Sequence, residues 1–122
     1  MPKLINSAHY LLNDYLKKHS NSLTVDYFRQ TTKHYQIWLS VLNSYFQKEE
    51  ISIEQIKKVT KNISLKTISL IISDAEKLNY VSRVKFAKDT RKKNIIPTAK
   101  TIKDYKSWVE CLAKNLNANI KK

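Results

Sequence analysis

Residues 64–83 read SLKTISLIISDAEKLNYVSR, and this stretch decides the fold. Ser64 is a helix N-cap residue, with a side-chain oxygen able to accept one of the backbone N–H groups left open at a helix start. Ile63 before it and Ile68 after it have the spacing of a hydrophobic staple. From Leu65 to Leu78 the pattern is two-faced. Ile68, Ile71, Ile72, Ala75 and Leu78 fall on one side and Lys66, Leu70, Ser73 and Lys77 on the other, with Thr67 and Ser69 beside them. Asn79 follows the last apolar residue, and asparagine is the best substitute for glycine in the left-handed backbone that ends many helices. The sequence predicts a helix over 65–78 that buries isoleucines and presents short polar and basic groups.

Just upstream, Ser52 stands three residues before Gln55, the spacing of a capping box, with Ile51 and Ile56 as the staple pair. A short helix from Ile53 to about Lys61 follows, and two helices with so brief a break between them form a helix-turn-helix. Downstream, residues 80–86 alternate as a strand does, with Tyr80, Val84 and Phe86 on one side and Arg83 and Lys85 on the other. The polar turn Lys88-Asp89-Thr90-Arg91-Lys92-Lys93 leads to a second extended piece, Asn94-Ile95-Ile96-Pro97. A basic β-hairpin directly after a helix-turn-helix has the layout of a wing. Thr98 then caps a helix from Ala99 to about Ile120, whose Ile102, Tyr105, Val109, Leu112 and Leu116 form a seam of coiled-coil spacing. At the N-terminal end, one helix is expected from about Lys3 to Lys18, with Leu4, Ile5, Ala8, Leu11, Leu12, Tyr15 and Leu16 on one face, broken by His19-Ser20-Asn21-Ser22. A second is expected from a Thr24 cap, carrying Val25, Phe28, Tyr35, Trp38, Leu39, Leu42, Tyr45 and Phe46.

The expected fold class is mainly α with a small β-wing (α+β): a winged helix-turn-helix with N- and C-terminal dimerisation helices. We expect one winged-helix domain over 1–122, with scaffold helices in 1–48, the helix-turn-helix and wing in 51–97 and a C-terminal dimerisation helix in 98–122. The 122 residues are 42% hydrophobic, enough for a modest core that a second subunit would help to cover. Lys and Arg total 23 against 10 Asp and Glu, a net charge of +13. Such a charge speeds encounter with polyanions, nucleic acid first and an anionic membrane surface second. Glycine is absent while Lys, Asn and Ile are abundant, so part of the lysine excess fits the codon bias of an AT-rich genome. No run of about 18 uncharged apolar residues suggests a membrane span, the N-terminus lacks a secretory core, and cytoplasmic residence is expected.

A helix that reads the major groove needs short polar or basic side chains on its outer face. Ser64, Lys66, Thr67, Ser69 and Ser73 meet that need. Leu70 either touches a thymine methyl or belongs to the core of a rotated helix. In the wing, Arg83, Lys85, Lys88, Arg91, Lys92 and Lys93 accompany a single acid, Asp89. Such a tip can follow a phosphate backbone or place an arginine in a narrow minor groove, and Asp89 is placed to pair with Arg91 and hold it. The plain alternatives are an ordinary amphipathic surface helix and a solvated charged turn.

The stretch Ser64-Leu65-Lys66-Thr67-Ile68-Ser69 resembles the start of the recognition helix in MarR-type winged-helix regulators, S-x-x-T-I/V-S. Ala75 to Arg83 is similar to that family's L-E-K-K-G-L/Y-I/V-x-R, and Asp89-Thr90-Arg91 to its wing motif D-x-R. The resemblance covers roughly residues 51–101. It implies a homodimer joined through N- and C-terminal helices, double-stranded DNA as partner, recognition helices in successive major grooves, and Arg91 at the flanking minor groove with Asp89 as its partner. It also implies that a small phenolic molecule or an oxidant can act near the dimer helices. Tyr10, Tyr15, Tyr35, Trp38, Tyr45 and Trp108 are the candidates to line such a pocket, with simple core packing as the alternative. Asn79 stands in place of the family's glycine and Pro97 in place of a leucine, and one long C-terminal helix stands where the family often has two. PadR-like winged helices, also closed by a C-terminal dimer helix, remain a near neighbour.

Other chemistry is thinly supported. Cys111 is the only cysteine, so no internal disulfide is expected, and a redox role would need an exposed thiol of lowered pKa. His9, His19 and His34 lack metal-ligand spacing, a chain without glycine has no ordinary phosphate loop, and neither a cofactor nor catalysis is expected. Two rival readings remain. One keeps the fold as an architectural or accessory nucleic-acid binder or adaptor, because Lys57, Lys58, Lys61, Lys100, Lys103 and Lys106 spread charge beyond the wing. The other is a helical module for acidic protein or membrane.

Overall fold

The computed structural model describes residues 2–17, 22–89 and 91–121, with side chains described for 6–16, 22–89 and 91–118. Lys18, His19, Ser20, Asn21 and Thr90 lie outside the described residues. Among the described residues, six helices and two strands follow in the order α1 (Pro2–Lys17), α2 (Leu23–Arg29), α3 (Thr32–Phe46), α4 (Ile53–Val59), α5 (Leu65–Lys77), β1 (Val81–Lys85), β2 (Lys93–Pro97) and α6 (Ala99–Lys121). The expected α+β class is found.

Both serine caps hold. Ser52 and Gln55 form the complete capping box, with Gln55 N–H donating to Ser52 Oγ at 3.3 Å and Ser52 N–H to Gln55 Oε1 at 2.8 Å. Ser64 Oγ accepts the Thr67 N–H at 3.1 Å. Each such cap is worth about 1 kcal/mol. The staple residues Ile51, Ile56, Ile63 and Ile68 are all buried. The turn between α4 and α5 is tied by side chains: Lys57 Nζ donates to the Ile63 carbonyl at 3.0 Å, and the Lys61 N–H donates to Gln36 Oε1 at 2.8 Å.

Asn79 has φ 64°, and the bonds Asn79 N–H to Glu76 carbonyl (3.0 Å) and Tyr80 N–H to Ala75 carbonyl (2.9 Å) complete a Schellman end to α5. Lys48 ends α3 in the same way at φ 61°, bonded from its N–H to the Tyr45 carbonyl, with Glu49 N–H reaching Ser44. A lysine there bears the Cβ strain that glycine would avoid.

The strands pair antiparallel, Val81 opposite Pro97 through Lys85 opposite Lys93. Ile51 adds to the free edge of β2: the Ile95 N–H donates to the Ile51 carbonyl (2.9 Å) and the Ile51 N–H to Asn94 Oδ1 (2.8 Å). The wing is thereby fastened to the start of the helix-turn-helix. Thr98 caps α6 through the Thr101 N–H, and the buried Thr101 hydroxyl donates to the Tyr80 carbonyl at 2.7 Å, joining α6 to the turn after α5. Trp38 lies at the aromatic centre of the core, stacked on Phe28 at 5.2 Å and edge-on to Tyr105 at 5.4 Å.

Several expectations are corrected. The second N-terminal helix is two helices, interrupted at Gln30-Thr31, where the Thr31 side chain caps α3 by accepting the His34 N–H. Ser22, not Thr24, caps α2. Thr24 is fully buried and donates to Asp104 Oδ2 of α6 at 2.8 Å, a tertiary bond that outweighs its local capping tendency. On α1, expected as a dimerisation or scaffold helix, Leu11, Leu12, Tyr15 and Leu16 are exposed and Asp14 is buried, while the side chains of Leu4 and Ile5 lie outside the described residues. Leu78 also leaves the core. In β1 the inward residue is Val81, and Val84 is exposed. The Schellman turn takes Tyr80 out of the strand and onto α2, so the alternation starts one residue later.

Candidate nucleic-acid interface

α5 buries Ile68, Ile71, Ile72 and Ala75 and turns its other face outward. Lys66 and Ser64 are exposed, Thr67, Ser69 and Ser73 half-buried. Leu70 is 62% exposed, which rules out a core position within this chain. Not every hydroxyl on this face is free. Ser64 Oγ donates to Thr67 Oγ1 at 3.0 Å, and Ser73 Oγ accepts from Arg83 Nη2 at 2.8 Å.

Arg83 is the clearest departure from the sequence expectation. Because Val81 faces inward, Arg83 two residues on lies on the same side and folds back against α5. Its Nε lies 3.3 Å from Glu76 Oε1, close enough for an ion pair, although the N–H is not aimed well enough to make a hydrogen bond.

Lys85, Lys88, Arg91, Lys92 and Lys93 are exposed at the wing, Asp89 half-buried. The Arg91 side chain is 91% exposed. Asp89 Oδ1 accepts from Arg91 N–H at 3.1 Å and from Arg91 Nε at 3.3 Å, so the expected pairing is present. The tip is closed by Phe86 N–H to the Lys92 carbonyl, and Glu50 accepts the Ala87 N–H at 2.9 Å. Lys85 and Lys93 are direct cross-strand partners. Like charges so placed cost a sheet a few tenths to about 1 kcal/mol, a cost that a polyanion lying on the wing would relieve.

Asp14, Arg29, Tyr27, Asp74 and Glu50 were not singled out in the sequence. Arg29 Nη1 meets Asp14 Oδ2 at 2.9 Å, and the guanidinium sits over the rings of Tyr15 (5.2 Å) and Trp108 (5.1 Å). Asp14 also accepts from Trp108 Nε1 at 3.4 Å. This group walls a cavity of about 310 Å³ between α1, the α2–α3 junction and α6, completed by Leu11, Thr31, Thr32, Tyr35 and Leu112. Of the six aromatic candidates, Tyr15, Tyr35 and Trp108 line it, while Trp38 belongs to the core. Cys111 is exposed, its Sγ 4.0 Å from Tyr10 Oη and 3.4 Å from Asn115 Nδ2. Burial and the contact with Cys111 push the Tyr10 phenol upward in pKa. Among the described residues no three metal-ligating side chains come together, and no helix is long and apolar enough to cross a membrane.

Two capped helices, a tied turn, a fastened basic hairpin and a long closing helix define a winged helix-turn-helix protein. Two solved structures of one protein bear this out. The heme sensor protein PefR from Streptococcus agalactiae, in complex with heme, superposes with a TM-score of 0.56 at 18% identity, covering 96% of this chain and 73% of that one. PefR in complex with heme and carbon monoxide gives 0.53, with the same identity and coverage. A MarR mutant from E. coli gives 0.49 at 18% identity, covering 91% and 82%. No protein-family model matches the chain, and no curated protein is significantly similar to it in sequence. At such identity the likeness to the two PefR structures shows the fold alone, the winged helix-turn-helix that the resemblance to MarR-type proteins led one to expect.

Proposed function

We propose that this chain is a sequence-specific regulator of transcription that binds double-stranded DNA as a homodimer in the cytoplasm, on the nucleoid when bound. In this reading α5 enters the major groove through Ser64, Lys66, Thr67, Ser69 and Leu70. The wing meets phosphates and the flanking minor groove through Lys85, Lys88, Arg91, Lys92 and Lys93, with Asp89 holding Arg91. Ser73 and Arg83, bonded to each other, brace α5 against the first wing strand. The observation that carries the reading is the outward face of α5 standing on a winged-helix fold whose wing ends in an exposed, acid-braced arginine. The exposed leucines of α1 support a dimer, since contiguous apolar surface on one helix favours a partner.

The test is selection from random duplexes followed by footprinting. A protected pseudo-palindrome, with affinity falling steeply as salt rises, is expected. Equal binding to random and selected DNA at physiological salt overturns sequence-specific regulation and favours the architectural reading.

The cavity beside Arg29 favours a second partner, a small organic effector. At about 310 Å³ it lies at the low end of small-molecule sites, which run from about 300 to 1,000 Å³. That volume suits one substituted aromatic ring better than a macrocycle such as the heme bound by PefR. Release of the selected duplex by a small aromatic compound, lost in Trp108→Ala, is the expected result.

A further inference from the structure

α5 packs against α4 and β1, and a tyrosine reaches it from the scaffold. Tyr27 of α2 donates its hydroxyl to Asp74 Oδ2 at 2.8 Å, with the Ile71 carbonyl 3.4 Å away, both acceptors on α5. The ring that carries this hydroxyl is fixed by its neighbours. It stands edge-on to Phe28 at 4.9 Å and to His34 at 5.2 Å, and tilted against Tyr80 at 5.4 Å. The donor is therefore pre-aimed, and little side-chain freedom is lost in making the bond. Burial and the Asp74 carboxylate both raise the phenol's pKa, so the hydroxyl keeps its proton throughout the physiological range.

We infer that Tyr27 is a positioning residue for the DNA-reading helix: through Asp74 it sets the angle between α5 and the scaffold to which α2 belongs. The inference rests on the reading of α5 as the DNA-contacting helix. Asp74 sits one helical turn beyond the exposed Leu70, on the same side of α5 and nearer its C-terminal end. Lys66 lies eight residues away, about 12 Å along the axis. A tilt of about 10° pivoting at Asp74 would move Lys66 by about 2 Å, several times the roughly 0.5 Å tolerance of an oriented polar contact. Phosphate contacts, being less directional, survive such a shift. Tyr27 therefore bears on specificity more than on general affinity. Two residues on from it, Arg29 walls the cavity, so α2 links the cavity to the reading helix.

The test compares Tyr27→Phe, Asp74→Ala and Asp74→Asn with the wild-type chain. Tyr27→Phe keeps the ring and removes only the donor, and Asp74→Asn keeps an acceptor oxygen. Amide hydrogen exchange over residues 70–77, without DNA, is expected to quicken in Tyr27→Phe and Asp74→Ala and to stay near wild type in Asp74→Asn. Affinity for the selected duplex is expected to fall about tenfold in the first two, the scale of one hydrogen bond to a charged group. Affinity for random duplex and its salt dependence should stay unchanged. Unchanged exchange, unchanged site affinity, or a parallel loss on selected and random DNA each overturns the role of Tyr27. A wild-type chain with no preferred duplex overturns the functional reading instead, a distinct result that the exchange measurement does not share.

Discussion

Arg83 donates from Nη2 to Ser73 Oγ at 2.8 Å, so two side chains that the sequence placed at the DNA are bonded to each other. The arginine splints the last turns of α5 to the first strand of the wing, and the two DNA-facing elements move as one. Arg83→Ala is expected to lower affinity for the selected duplex while leaving the salt dependence of binding at its wild-type slope. An arginine on a phosphate would instead reduce that slope by about one unit. Arg83→Lys should not rescue, because an ammonium lacks the planar fork that reaches Ser73 and Glu76 together.

The wing tip should divide into one reading residue and several anchors. Arg91→Ala is expected to cost about 1–3 kcal/mol on the selected duplex and to relax preference at the flanking base pairs. Lys92→Ala should weaken binding to selected and random duplex alike and lower the salt slope by about one. Competition binding at several salt concentrations separates the two. Equal, sequence-blind losses in both variants would reduce Arg91 to another anchor.

Lys85 and Lys93 face each other across the hairpin, so stability and binding should respond in opposite directions. Lys85→Glu replaces a like-charge pair with an opposite one and is expected to raise stability by about 0.2–1 kcal/mol. The same change should weaken DNA binding. A higher urea midpoint together with a weaker duplex complex is the expected pair of results. A lower midpoint would show that the two lysines are not in electrostatic contact.

The helix-turn-helix was legible because its signals are local. Ser52 and Ser64 cap through backbone groups three residues away, and Asn79 needs only its own φ. The α2–α3 break was missed because no glycine or proline marks it; Thr31, a capping residue type three before His34, was the available signal. Thr24 was misread as a cap because its partner, Asp104, is eighty residues distant. The inner face of β1 was misjudged by one residue because helix-end geometry, which periodicity does not record, decides where the alternation begins. Asp14 was passed over because nothing in its own helix marks it as buried. It takes the Arg29 guanidinium and the Trp108 indole, neither visible from local spacing, to make that aspartate the buried residue.

His34 should make the chain less stable in mild acid. Burial holds its imidazole below the ordinary 6.5, opposed by the Asp74 charge. The folded state favours the neutral ring, and as pH falls the unfolded chain takes up its proton first. The stability that depends on the neutral ring is complete above about pH 6.5 and is lost as pH falls through the lowered folded value. Asp74, the Tyr27 ring and Thr31, whose Oγ1 lies 2.6 Å from His34 Nδ1, are the groups that face it. Urea midpoints at pH 7.5 and 5.5 should fall further apart for the wild-type chain than for His34→Gln. Equal differences would mean that His34 titrates alike in both states.

The Asp14–Arg29 pair sets the final prediction, because both charges leave water: the side chains are 5% and 12% exposed. Removing one partner from such a pair strands the other, so Asp14→Ala is expected to cost about 3–5 kcal/mol. That is far more than the 0–1 kcal/mol of a surface ion pair. The stranded guanidinium would keep only the faces of Tyr15 and Trp108, and the Trp108 Nε1–H would lose its acceptor as well. Replacing both partners by apolar residues of similar size removes the desolvation penalty along with the attraction. Asp14→Leu combined with Arg29→Met should therefore be much more stable than Asp14→Ala and approach the wild-type chain. Urea unfolding of the wild type and both variants decides the matter, with the slope against urea checked for constancy. A double variant no more stable than Asp14→Ala would mean that the pair's geometry, including its cation–π contacts, contributes more than its desolvation costs.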